Sequence, residues 1–258
     1  MARFAANLTM LFTEQPFLQR FALARQAGFR AVEFLFPYAY EADALAHQLK
    51  AHQLEQALFN LPPGDWDNGE RGIAALPGRE EEFRHSVDTA LHYATTLGCP
   101  KVHAMAGIVD PRYSRAQHLE TFVSNIRYAA DKFAEHDITL LIEPLNSRDV
   151  PHYLIAHQRD AAQLIERIAH PNVKLQFDVY HAQIMDGDLT RMIADLAPVI
   201  GHVQIASVPL RHEPSEGEIN YPHIFAALDS AGYHGWIGCE YNPKSGTQEG
   251  LGWLTPYL

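Results

Sequence analysis

Short apolar runs alternate with longer stretches of mixed polarity along the whole chain. The runs are RFAANL (3–8), AVEFLF (31–36), LEQALFN (54–60), KVHAMAG (101–107), ITLLIEP (138–144), VKLQFD (173–178), GHVQIA (201–206) and WIGCE (236–240). They are brief and rich in Val, Ile, Leu and Phe, as strands covered on both faces are. Between them, 17–28, 42–52, 79–98, 117–136, 159–170, 188–200 and 223–232 carry apolar residues three and four apart, the spacing of one helix face. Gly28 and Gly98 stand where helix C-caps belong, and His170-Pro171 ends the fifth helical stretch. Eight strands alternating with helices predict parallel strands joined by crossover helices, and eight such units close into an α/β (β/α)8 barrel. An open doubly wound sheet is the competing architecture. It usually carries a glycine-rich phosphate loop after its first strand, and NLTMLFTEQ contains no glycine.

No Pro-, Gly- or Ser-rich linker, low-complexity tract or charge block divides the sequence, so residues 1–258 are expected to form one barrel domain. One connection is too long to be only a connection. LPPGDWDNGERGIAALPG (61–78) leaves the C-terminal end of the third strand, the end at which barrel chemistry sits. It is either an insertion without a role or a lid that shields substrate.

The net charge is −11, which argues against nucleic acid and anionic membranes as partners but not against a small anion in a cleft. Two cysteines, Cys99 and Cys239, form no CxxC pair and no disulfide framework. The first residues, MARFAANLTMLFTEQ, lack a secretory apolar core, and no run reaches the length of a membrane span, so a cytoplasmic location is expected. A homo-oligomer is compatible with the sequence; a closed barrel has no strand edges, so its contacts would run through helices or loops.

The strand ends hold the candidate chemistry. LLIEPLN (140–146) drives three apolar residues into Glu143, where an unpaired buried charge would be costly. In a barrel that run is wall, and Glu143 is held up into the mouth. Asp178, Gln204 and Glu240 occupy the same position on strands 6, 7 and 8. Three converging carboxyl groups repel one another unless a cation joins them, and an oxygen-only set with an amide suits Mg²⁺ or Mn²⁺. The alternative is that each acid caps the next helix or pairs with a Lys or Arg. His181 either reaches a substrate oxygen or is satisfied by backbone at a helix start. Arg211 either grips a substrate carboxylate or pairs with Glu213 or Glu218. Lys244 offers a second cation. His103 and Asn60 either line the pocket or are hydrogen-bonded inside the barrel, and Glu33 reads as a supporting acid. The helical histidines, His47, His85, His92, His118 and His136, read as solvent-facing.

The pieces RFAANLTMLF, AVEFLFPY, LPGREEEF, NIRYAADKF, LLIEPLN, FDVYHAQ, GHVQIA, RHEPSEGEINYP and GWIGCEY resemble the hydroxypyruvate isomerase family, within the xylose-isomerase-like barrels. PHYLIAHQRDA (151–161) and the ending GWIGCEYNPKSGTQEGLGWL are closer to the 2-oxo-tetronate isomerase branch. LFNLPPGDWDNGERGIAALPG is equally similar to the hydroxypyruvate branch. The resemblance implies a divalent metal on Glu143, Asp178, Gln204 and Glu240, with Glu143 and Glu240 as acid–base pair and His181 and Arg211 as substrate contacts. The implied reaction is carbohydrate chemistry on a small sugar acid, 2-oxo-tetronate to 3-oxo-tetronate, by metal-assisted proton transfer through an enediolate. The alternatives are hydroxypyruvate to tartronate semialdehyde, 3-epimerisation of a neutral ketose, an abasic-site phosphodiesterase, a non-catalytic sugar-acid binder, and, for the chemical step, a hydride shift.

Overall fold

A computed structural model describes residues 2–257; Met1 and Leu258, the ends of the expected domain, lie outside the described residues. Eight parallel strands close in sequence order: β1 (Arg3–Asn7), β2 (Ala31–Glu33), β3 (Glu55–Asn60), β4 (Lys101–His103), β5 (Thr139–Ile142), β6 (Val173–Asp178), β7 (Ile200–Ile205) and β8 (Trp236–Cys239). β8 pairs with β1 from Arg3↔Trp236 to Ala6↔Cys239, which closes the ring. The doubly wound alternative is therefore set aside.

The helices α1 (Phe17–Gln26), α2 (Ala42–His52), α3 (Glu80–Leu97), α4 (Arg115–Ala134), α5 (Gln158–Ile168), α7 (Leu189–Leu196) and α8 (Tyr221–Ser230) follow the predicted stretches to within a few residues. Their apolar faces pack on the outside of the sheet and form the main core. Gly98 takes the left-handed backbone that ends α3 (φ 62), and Ser114 with Gln117 forms a capping box at the start of α4.

The differences have local causes. β2 and β4 stop at three residues each because the chain beyond them leaves the ladder for the mouth. Leu35 N–H donates to the Thr9 hydroxyl and Ala106 N–H to the Tyr153 hydroxyl. α6 (Val179–Met185) starts directly on β6, because the Asp178 side chain accepts from Tyr180 N–H at 2.7 Å and turns the chain. α9 (Thr247–Gly250) and a 3-10 helix (Leu251–Tyr257) fall where glycines and Pro256 break any apolar period.

His118 is a correction. His47, His85, His92 and His136 are exposed, but His118 is fully buried. Asp110 N–H donates to its Nε2 (3.1 Å), which leaves Nδ1–H to donate to Ala75 O (2.7 Å). It thus ties the 61–78 loop to the segment after β4. No helix among the described residues is long and apolar enough to cross a membrane.

Candidate active site

β5, β6 and β8 each deliver an acid to the barrel mouth. Ligand atoms of Glu143, Asp178, His181 and Glu240 all lie within 4.8 Å of one another, and all four residues are buried. Oxygens on opposite sides of one Mg²⁺ stand roughly 4 Å apart, so a single ion spans such a cluster. Two atoms have no hydrogen-bond partner among the described residues, Glu143 Oε1 and Asp178 Oδ2. Buried oxygens left unpaired beside like charges fit a hard cation.

The alternative readings of the acids hold in part. Asp178 does cap α6, through Oδ1, while Oδ2 faces the cluster. Glu240 does pair with an arginine. Arg211 Nη2 donates to Glu240 Oε2 at 2.5 Å and stands 3.9 Å from Asp178 Oδ2. Glu213 and Glu218 are engaged elsewhere, by Lys244 N–H and the Gln183 amide, so neither holds Arg211. The guanidinium lies over the Tyr180 ring (4.8 Å) and 3.9 Å from Asp149, whose Oδ2 accepts from Tyr180 O–H. Arg211 itself has a left-handed backbone (φ 57), a strained conformation for a side-chain-bearing residue.

Burial, then Glu240 and Asp178, pushes the Glu143 carboxyl well above the usual carboxylate range. Burial lifts Glu240 to about 8 and Asp178 to about 6, against the pull of Arg211. Burial alone would lower Arg211, but Glu240, Asp178 and Glu143 outweigh it and raise it. Burial holds His103 down to about 3 and His181 well below its ordinary value, so both rings are neutral.

The ring of His181 is fixed by its neighbour. Asn146 N–H donates to Nδ1 (3.0 Å), and a backbone amide cannot reverse that role. The neutral ring therefore carries its proton on Nε2, 3.7 Å from Asp178 Oδ2. In this tautomer His181 turns an N–H, and no lone pair, toward the cluster.

The other expected site residues are placed as follows. Gln204 stands in register with Asp178 on the next strand, its oxygen accepting from Gln176 Nε2 (2.5 Å) and its nitrogen donating to Glu33. His103 Nδ1 is 3.5 Å from Glu143 Oε2, and neither ring nitrogen has a hydrogen-bond partner among the described residues. Asn60 ends β3 buried, its carbonyl accepting from Tyr38 O–H. Lys244 is not brought to the cluster; its ammonium is exposed and held by Glu216 at 2.9 Å. Asn146, Asp149, Tyr180 and Asn7 were not singled out in the sequence. Asn146 and Tyr180 lie within three residues of Glu143 and Asp178, which is the signal that could have found them. A groove of about 710 Å³ on the flank, lined by Phe12, Leu18 and Thr247 among others, includes none of these acids.

The loop 61–78 packs through Ile73–Ala75, where Ala75 N–H donates to Ala106 O (2.8 Å). Gly72 (φ 102) is required there, since a Cβ would stand 2.3 Å from Met105 O. Its tip is pinned by Arg71 over the Trp66 ring (3.9 Å) and by Trp66 against Phe36 (4.9 Å).

Comparison with known proteins adds to this geometry. The family described as the xylose isomerase-like TIM barrel matches residues 21–257. The 2-oxo-tetronate isomerase of Pectobacterium atrosepticum is 55% identical over 258 residues, 100% of this chain and 98% of that protein. The hydroxypyruvate isomerase of Escherichia coli is 49% identical over 257 residues, 100% of each. A crystal structure described as AP endonuclease, family 2, from Brucella melitensis superposes with TM-score 0.98 at 59% identity, covering 100% of this chain and 99% of that one.

Proposed function

Because this chain belongs to the xylose isomerase-like TIM barrel family, we propose that it is an isomerase of a small sugar acid, converting 2-oxo-tetronate to 3-oxo-tetronate. The observation that carries the reading is the buried cluster of Glu143, Asp178 and Glu240, with oxygens that lack a hydrogen-bond partner among the described residues, beside one arginine and one histidine whose Nδ1 accepts from Asn146 N–H and whose Nε2 faces the cluster. Glu143, Asp178, Gln204 and Glu240 would hold Mg²⁺ or Mn²⁺. A bound divalent ion supplies a Lewis acid that polarises the substrate carbonyl and steadies charge on its oxygens.

The chain's own residues do the rest. Glu143 and Glu240 enter the mouth from β5 and β8, so one can take the proton from C3 while the other returns a proton to C2. The C3 hydroxyl proton moves to the C2 oxygen, which balances the exchange of carbonyl and hydroxyl. Positioned acid–base groups contribute about 100- to 10 000-fold each. The Nε2–H of His181 is available to a substrate oxygen. Arg211 binds the substrate carboxylate with the fork that it otherwise turns to Glu240. The loop 61–78 shields the mouth from water.

Hydroxypyruvate is the second substrate to test, on the strength of the 49% identical relative. Abasic DNA is the third, because of the Brucella structure's description. The charge of −11 and the one-histidine cluster speak against a phosphodiesterase, which needs a basic track for phosphates. The experiment is proton NMR in D₂O with Mg²⁺ and each oxo-acid in turn. Conversion of the four-carbon acid with deuterium at C2 supports the proposal. Faster turnover of hydroxypyruvate would move the assignment to that acid, and cleavage of abasic DNA without isomerisation would end it.

A further inference from the structure

Glu33 ends β2 inside the barrel with no exposed surface. Its Oε1 accepts from Asn7 Nδ2 (3.0 Å) and Gln204 Nε2 (2.8 Å), and its Oε2 from His202 Nε2 (2.8 Å). Gly238 makes the space, since a Cβ there would stand 2.3 Å from both carboxyl oxygens. The donor chain runs Gln176 to Gln204 to Glu33, with Gln176 Nε2 on Gln204 Oε1.

Two amides in series can make the same contact in either direction, if both are rotated by half a turn. Only the group at the end of the series breaks that symmetry. A carboxylate accepts and does not donate, so it draws the nitrogen of Gln204 toward itself and leaves the oxygen on the other side. That oxygen has a second lone pair after Gln176 takes one, whereas an NH₂ group repels a cation. We propose that Glu33 is a positioning residue for the divalent cation: it fixes the Gln204 amide so that the oxygen is the end available as a ligand. The inference rests on the metal reading above.

Mn²⁺ binding to the full-length protein, measured by calorimetry and by the electron paramagnetic resonance of free Mn²⁺, tests it. Glu33→Gln keeps the shape but can donate to a rotated Gln204, and affinity should fall about 10- to 100-fold, as for other groups that orient metal ligands. Gln204→Ala should fall similarly, and the double variant no further than Gln204→Ala alone. A Glu33→Gln protein that binds Mn²⁺ like the wild type overturns the proposal. So does a loss that adds in full to that of Gln204→Ala, because Glu33 would then act through its charge or through Asn7, which also reaches Glu240 Oε1 (3.4 Å). If Glu33→Gln does not fold, Gln176→Met decides. With Glu33 intact its affinity should stay within about threefold of wild type, and a tenfold loss would mean that Gln176 holds the amide. A wild-type protein that binds no Mn²⁺ defeats the metal reading, and this inference with it.

Discussion

Glu33 and Glu143 are buried glutamates at the ends of strands of one barrel, and they are treated in opposite ways. Glu33 receives three N–H donors and a glycine-lined space. Glu143 has one oxygen with no hydrogen-bond partner among the described residues, a neutral histidine at 3.5 Å and two other acids nearby. A buried carboxyl group is costly unless its oxygens are satisfied. The fold satisfies Glu33 with its own atoms and leaves Glu143 for something that binds. Burial alone therefore does not separate a supporting acid from a reacting one; the count of donors does.

The largest test of that difference is Glu143→Gln. Isomerisation should fall at least about 100- to 10 000-fold, the share of a positioned general base. Thermal stability should stay level or rise, because a buried carboxyl that folding obliges to keep its proton gives way to an amide that is neutral at every pH. NMR turnover and a melting curve of the same sample check both. A variant that loses stability along with activity would show that Glu143 is held by the fold as firmly as Glu33.

Arg211 tests what the cluster binds. Replacing it by Met removes a charge-assisted fork worth about 1.5–3 kcal/mol, so KM for the oxo-acid should rise roughly 10- to 100-fold with a smaller change in kcat. A fall in kcat alone would assign the guanidinium to Glu240 and Asp178, not to the substrate.

The barrel was legible because wall strands must be apolar and crossover helices must show one apolar face, so both periods survive in the sequence. The three acids were legible for the same reason: Glu143, Asp178 and Glu240 interrupt runs that otherwise predict burial. What a side chain meets across the barrel was not. Lys244 reads as a free cation until Glu216 is seen to hold it. His118 lies on a helix whose exposed face is polar, and only the 61–78 loop folding back makes its site a buried one. The tautomer of His181 depends on a backbone N–H 35 residues earlier in the chain. These are long-range contacts, and local pattern does not encode them.

His118 supplies a satisfied polar group with no place in the chemistry. His118→Leu should cost about 1–3 kcal/mol, since it strands Ala75 O and Asp110 N–H, and that is several degrees in melting temperature for a chain of this size. Turnover per folded molecule should change little. A large loss of kcat with stability intact would make the anchoring of the 61–78 loop part of the reaction.

The smallest expected effect is a slope. A carboxyl whose pKa is raised in the folded chain keeps its proton where the unfolded chain has lost it. It supports the fold at low pH and withdraws that support as pH climbs to the folded value. Glu240, at about 8, does this up to pH 8, and Asp178, at about 6, up to pH 6. His103, at about 3, and His181 and His202, also lowered, act in the other direction. They are neutral when folded and charged when unfolded below about 6.5, so their cost fades as pH rises to that value. The two sets oppose each other from about pH 4 to 6.5. Above that the histidines are silent and the carboxyl groups act alone. In EDTA, the melting temperature should therefore fall by about 2–4 °C per pH unit between pH 6.5 and 8, on the scale of 1 kcal/mol per unit for a chain of this length. With saturating Mn²⁺ the slope should vanish, because the cation takes the place of the protons. A flat profile in EDTA would mean that the cluster is already satisfied, and Glu143 and Glu33 would then no longer differ in kind.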